Sequence, residues 1–109
     1  MNANGNLGVN DLCFKEDSIY AATDIGLFRA SMNDNLLDYQ SWQHLIVDFP
    51  INSIEVAHQR IYFLSESLAD IYYYSAQNMY VAATTENLKF LKAESDRLFI
   101  GTQSNLIEI

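Results

Sequence analysis

The stretch Ile19-Tyr20-Ala21-Ala22-Thr23-Asp24-Ile25-Gly26-Leu27-Phe28 reads as a β-hairpin whose first arm is apolar on both sides. Ile19 and Tyr20 are β-branched and aromatic, Ala21 and Ala22 keep the run apolar, and Thr23, Asp24 and Gly26 mark a turn. The Thr23 hydroxyl can bond backbone groups within that turn, and Gly26 supplies the positive φ that a tight connection demands. A strand apolar on both faces fits a sheet stacked between two others, and fits poorly a sheet with one wet face.

The pattern repeats along the chain. Ile61-Tyr62-Phe63-Leu64-Ser65 repeats Ile19-Tyr20-Ala21-Ala22-Thr23, and Ile51-Asn52-Ser53-Ile54 repeats Val9-Asn10-Asp11-Leu12 at the same offset, with no gap between the two matches. A third copy, Leu98-Phe99-Ile100-Gly101-Thr102, follows the second at a slightly shorter interval. It continues in register, so that Asn105-Leu106-Ile107 stands to Leu98 as Gly26-Leu27-Phe28 stands to Ile19, and Asn105 takes the place of the turn glycine. The second copy departs from this pattern, because Ser67 to Asp70 lacks the glycine, and a longer, bulged hairpin is expected there.

Strands are expected at 9–16, 18–24, 27–31 and 42–47, then at 51–57, 61–66, 71–76 and 79–84, and last at 88–93, 97–102 and 106–109. Residues 31–40 read as the loop between the third and fourth strands, and Pro50 sits where one unit hands over to the next, a position that needs no ladder donor. The competing reading is helical: residues 82–94 hold many helix formers, and Ser67 to Asp70 could open a helix with a capping box. The aromatic run Ile71-Tyr72-Tyr73-Tyr74, the segment Met79-Tyr80-Val81 and the register through 88–93 favour strands.

Four short antiparallel strands recurring at intervals of roughly 40 residues are the mark of β-propeller blades. The fold expected is therefore all-β: a polar segment at 1–8, one blade over 9–50, a second over 51–87 and a partial third over 88–109. A closed propeller takes at least about four blades, so a piece of a larger propeller is expected, completed by its remainder or by self-association. A small self-contained β domain with an internal duplication is the alternative architecture.

Composition bounds the function classes. The chain has 109 residues, half of them hydrophobic, with 14 acidic against 6 basic side chains and a formal charge of −8. The scattered cations Lys15, Arg29, Arg60, Lys89, Lys92 and Arg97 argue against nucleic acid as a partner, and no apolar run is long enough to insert in a membrane. Residues 1–10 are polar without a basic region ahead of an apolar run, so no signal peptide is expected. Cys13 is the lone cysteine and, between Leu12 and Phe14, reads as a buried small hydrophobe.

No catalytic, cofactor-binding or metal-ligating residue is assigned. His44 and His58 fall in different units without a third ligand at metal spacing and read as hydrogen-bonded or solvated. Asn33-Asp34-Asn35 with Asp38 lacks the alternation and distal Glu of a calcium loop. Asp11, Asp17, Asp24, Asp70 and Asp96 fall at strand ends, where Asp accepts turn N–H groups. Tyr72 to Tyr74 with Tyr80 could form an aromatic carbohydrate platform, although alternation along a strand points rather to packing between blades.

The runs Ile19 to Phe28 and Leu98 to Leu106 resemble the propeller repeats in the sensor halves of bacterial two-component regulators, with their aliphatic-aromatic-x-Gly-Thr-x-x-Gly-Leu motif. Val9-Asn10-Asp11-Leu12, Gly26-Leu27-Phe28-Arg29-Ala30 and the loop with Asp38-Tyr39 and Ser41-Trp42 are similar to the PorZ-like propellers of Bacteroidetes type IX secretion. This resemblance implies a non-catalytic sensing or scaffold propeller, periplasmic or at the cell surface, that presents loops to a protein or glycan; a cytoplasmic address stays open. The alternative function is part of a propeller hydrolase or lyase acting on polysaccharide, with its catalytic acids outside this segment.

Overall fold

A computed structural model describes residues 8–45, 49–65, 70–75, 78–84, 88–103 and 105–109. The first antiparallel sheet contains β1 (Val9–Lys15), β2 (Ser18–Thr23), β3 (Gly26–Ser31) and β4 (Gln43–His44), paired in chain order. The second contains β5 (Ser53–Ala57), β6 (Arg60–Leu64), β7 (Asp70–Ser75) and β8 (Asn78–Thr84), again in chain order. The third contains β9 (Leu88–Glu94), β10 (Arg97–Thr102) and β11 (Leu106–Glu108), with β10 in the middle. This all-β arrangement of antiparallel four-stranded sheets is compatible with propeller blades.

The second sheet lies between the other two, and β6 shows why. Successive strand side chains point to opposite faces, so a strand with four consecutive apolar residues must be covered twice. Ile61 and Phe63 enter a core with Cys13, Tyr20, Ala22 and Leu27 of the first sheet, whereas Tyr62 and Leu64 enter a second core with Leu91, Leu98 and Ile100 of the third. Across the second sheet the register sets Glu55, Tyr62, Tyr73 and Tyr80 in one row, and Ile54, Phe63, Tyr72 and Val81 in the next. The sheets meet mainly along their first strands, β1 beside β5 and β5 beside β9.

Polar groups also join the sheets. The Ile51 N–H donates to the Thr23 carbonyl at 2.9 Å, and Asn10 Nδ2 donates to the Ile51 carbonyl at 2.8 Å and to Asp24 Oδ1 at 3.0 Å. The Ile54 N–H donates to Asp11 Oδ2 at 3.0 Å, and the His58 N–H to Asp96 Oδ1 at 2.6 Å. Thus Asp11 and Asp96, expected to serve their own turns, reach the neighbouring sheet.

Most strands fall close to the expected bounds. The expected strand at 42–47 is short, Gln43–His44, and residues 46–48 lie outside the described part. A short 3₁₀ turn, Tyr39–Ser41, interrupts the connection before it. Asp70–Ser75, Asn78–Thr84 and Leu88–Glu94 are strands where the helical alternative competed; the expected bulged hairpin at 66–69 lies outside the described residues.

The connections differ more. Gly26 has φ 132°; the Asn105 N–H donates to Thr102 Oγ1 at 3.0 Å and its carbonyl accepts the Thr102 N–H at 2.9 Å. Left-handed residues sit in the hairpins that open each sheet, at Glu16 (56°), His58 (53°), Gln59 (59°), Ser95 (52°) and Asp96 (60°). Tight hairpins favour this conformation because its twist matches that of the strands.

Thr23 is fully buried; its hydroxyl donates to the Gly26 carbonyl at 2.7 Å and accepts the Ile25 N–H at 3.2 Å. Thr23→Val leaves both backbone groups without that partner and should lower unfolding free energy by about 1–3 kcal/mol, measured by urea denaturation.

Burial, with the nearby charges of Asp11 and Glu55, pushes the Cys13 thiol up to about 12 from an ordinary 9.0. The folded chain therefore holds the neutral thiol: this contribution to stability is complete below pH 9 and is lost as pH rises towards 12. The Cys13→Ala variant should lack that alkaline loss, and native protein at pH 8 should resist thiol reagents that react with the unfolded chain.

Candidate functional site

Alternation divides the tyrosine cluster. Tyr72 and Tyr74 turn to the core shared with the first sheet, whereas Tyr73 turns with Tyr62 to the core shared with the third. Tyr73 pairs directly with Tyr80 of β8, and their rings stack at 5.1 Å between centroids with an interplanar angle of 26°. Burial declines along this row, from Tyr62 at 1% through Tyr73 to Tyr80 at 44% exposure. The outer half of the row is an aromatic ledge.

Charged and polar groups finish the ledge. The Arg60 guanidinium carbon lies 4.3 Å from the centroid of the Tyr73 ring. The neighbouring Tyr62 side chain raises the pKa of this guanidinium above its ordinary value. His58 Nδ1 lies 3.0 Å from the Tyr62 hydroxyl, with the two rings edge to face. The ledge therefore joins an exposed phenol face to a guanidinium fork laid against Tyr73, a surface suited to stacking on an apolar ring face while donating to its hydroxyl or carboxylate oxygens.

The acids on the first strands perform structural work. Asp11 Oδ1 accepts the Leu12 N–H at 2.9 Å while Oδ2 accepts the N–H of Ile54. Glu55 accepts the Ala93 N–H and lies near Lys92, yet burial outweighs both and pushes its carboxyl above the ordinary carboxylate value. One carboxylate joins the first sheet to the second, and the other joins the second to the third.

The remaining residues singled out in the sequence are dispersed. Ile19, Tyr20, Thr23, Gly26 and Leu27 are buried in the first sheet, as are Ile61, Tyr62 and Ser65 in and beside β6. Leu98 and Gly101 are buried in β10, Phe99 and Thr102 are half-buried, and Asn105 and Leu106 are exposed. Phe90 lies over Gly101, and a Cβ there would meet its ring. His44 stacks on Phe28 at 4.5 Å, far in the chain from His58. Asn35 Oδ1 accepts the Leu37 N–H and Asp38 Oδ1 the Gln40 N–H, so these two side chains shape the loop. Among the described residues no three His, Cys, Asp or Glu side chains group as metal ligands.

Arg60 and the link from His58 to Tyr62 are not apparent from the sequence. The pairing Ser75↔Asn78 puts Tyr73 opposite Tyr80.

The raised carboxyl of Glu55 carries a pH signature. A group whose pKa is raised on folding stabilises most below its unfolded value and loses that contribution as pH rises through the folded one. The Glu55→Gln variant should lack this dependence. Compared with it, the wild type should gain stability as pH falls from 7 towards 4.5, measured by thermal unfolding at several pH values.

No family model, curated protein or solved structure matches this chain.

Proposed function

We propose that this chain is a non-catalytic binding and scaffold segment of a β-propeller, sensor- or secretion-associated, that works in the periplasm or at the cell surface. Its sheets serve as blades of the two-component-regulator type, and its partner is a glycan received on the ledge of Tyr73, Tyr80 and Arg60. The observation that carries the non-catalytic reading is the engagement of Asp11 and Glu55. In a propeller hydrolase, acids on the innermost strands are positioned to reach a substrate in the central channel; here both accept backbone N–H groups between sheets.

The glycan half rests on the ledge itself. A sugar ring presents an apolar C–H face and a polar rim, and Tyr80 offers the matching exposed face beside the Arg60 donors. Titration against a panel of acidic and neutral oligosaccharides tests both halves. Tyr80→Ala and Arg60→Ala should each weaken binding by at least about tenfold, as expected for a Tyr or Arg anchor. Asp11→Asn should leave binding unchanged. Turnover of any panel member that Asp11→Asn or Glu55→Gln abolishes would establish the hydrolase reading instead.

A further inference from the structure

Beside the row of Tyr62, Tyr73 and Tyr80, the second sheet carries a row of polar residues on the same face. Ile61 pairs with Tyr74 and Ser75 with Asn78, so alternation puts Arg60, Ser75 and Asn78 two residues along their strands from the three tyrosines. Arg60 and Asn78 are exposed, and Ser75 is half-buried. The exposed ring of Tyr80 is thus bordered by a guanidinium, a hydroxyl and an amide, groups that hydrogen-bond the rim of a sugar stacked on the ring.

Charge singles out Arg60 within that border. Arg97 is neutralised by Glu108 through contacts of 2.7 and 2.9 Å, and Lys15 lies 3.4 Å from Glu16. Among the described residues no carboxylate stands within ion-pair distance of Arg60, whose neighbours are the rings of Tyr73 and Tyr62. Two acids stand near His58, and both are engaged: Asp96 accepts the His58 N–H and Glu108 pairs with Arg97. Arg60 therefore presents an unneutralised charge beside an exposed aromatic ring. Because β6 and β8 flank β7, Arg60 meets the Tyr73 ring from one side and Tyr80 from the other, and a chain of sugars crossing the three strands reaches both.

We infer that the ledge receives oligosaccharides of uronic acids, with a sugar carboxylate on Arg60 and an apolar ring face on Tyr80. This rests on the glycan reading and names the class of glycan. A planar guanidinium matches the two oxygens of a carboxylate, and such charge-assisted hydrogen bonds are roughly twice as strong as those to the neutral hydroxyl of an uncharged sugar. The chain's charge of −8 opposes an anion at long range. At about 0.15 M salt, however, the Debye length is about 8 Å, so that repulsion is screened while the direct contact persists.

Isothermal titration calorimetry at this ionic strength tests the inference. The probes are uronate oligosaccharides of gluco, galacto and manno configuration, each beside its carboxyl-reduced form, in which a neutral hydroxymethyl group replaces the carboxylate. At least one acid form should bind the wild type about tenfold or more tightly than its reduced form. Arg60→Ala should abolish that preference, and so should Arg60→Gln, which keeps hydrogen-bond donors without the charge. Tyr80→Ala should weaken both forms alike and preserve their ratio. Circular dichroism and thermal midpoint should stay those of the wild type in all three variants, since both side chains are exposed. Reduced forms that bind as tightly as the acids, or a preference that survives in both Arg60 variants, would overturn the inference and leave the glycan reading standing. Absence of binding to every probe of either form would overturn both.

Discussion

The structure depends on one strand that is apolar on both faces. Ile61 and Phe63 of β6 enter one core, Tyr62 and Leu64 the other, and all four are buried. Removing a fully buried aromatic side chain costs about 3–5 kcal/mol, a large share of the stability of a small domain. Neither outer sheet is therefore an accessory, since each covers a face of β6 that water would otherwise meet. Once a sheet is needed on each side, the stack follows, and so does the convergence of β1, β5 and β9 that brings Asp11 and Glu55 against neighbouring backbone N–H groups.

Among the described residues each outer sheet has another sheet against only one of its faces. A repeat whose units bury their surfaces against neighbours leaves two unmatched surfaces at its ends, which repeat proteins ordinarily cap with polar residues. Here the ends stay apolar, at Leu12 and Phe14 on one side and Phe90 and Leu106 on the other. The aromatic ledge has a related origin. Its row runs outward from the buried Tyr62 to β8, the edge strand of the second sheet, where Tyr80 remains exposed.

The strands were legible because their periodicity is local and repeated. Three runs of one type, beginning Ile19-Tyr20, Ile61-Tyr62 and Leu98-Phe99 at nearly equal spacing, carry the same signal independently, and all three are strands. The connections were less legible. The left-handed pairs His58-Gln59 and Ser95-Asp96 contain no glycine, so they carry no turn signal of the usual kind. At Asn105, hydrogen bonds with Thr102 close the turn. The candidate site was legible only as a cluster of tyrosines. Its division between faces follows from alternation along β7, whereas Arg60 joins it by a contact across strands that spacing does not encode.

The central claim is that β6 is deeply enclosed because sheets cover it on both faces. Amide hydrogen exchange, resolved by residue under native conditions, tests this most directly. The account predicts that Ile61 to Leu64 exchange only through global unfolding, while β4 and β11, at the sheet edges, exchange orders of magnitude faster through local opening. Exchange in β6 as fast as in β11 would contradict it, because a strand enclosed on both faces cannot open without disrupting both cores.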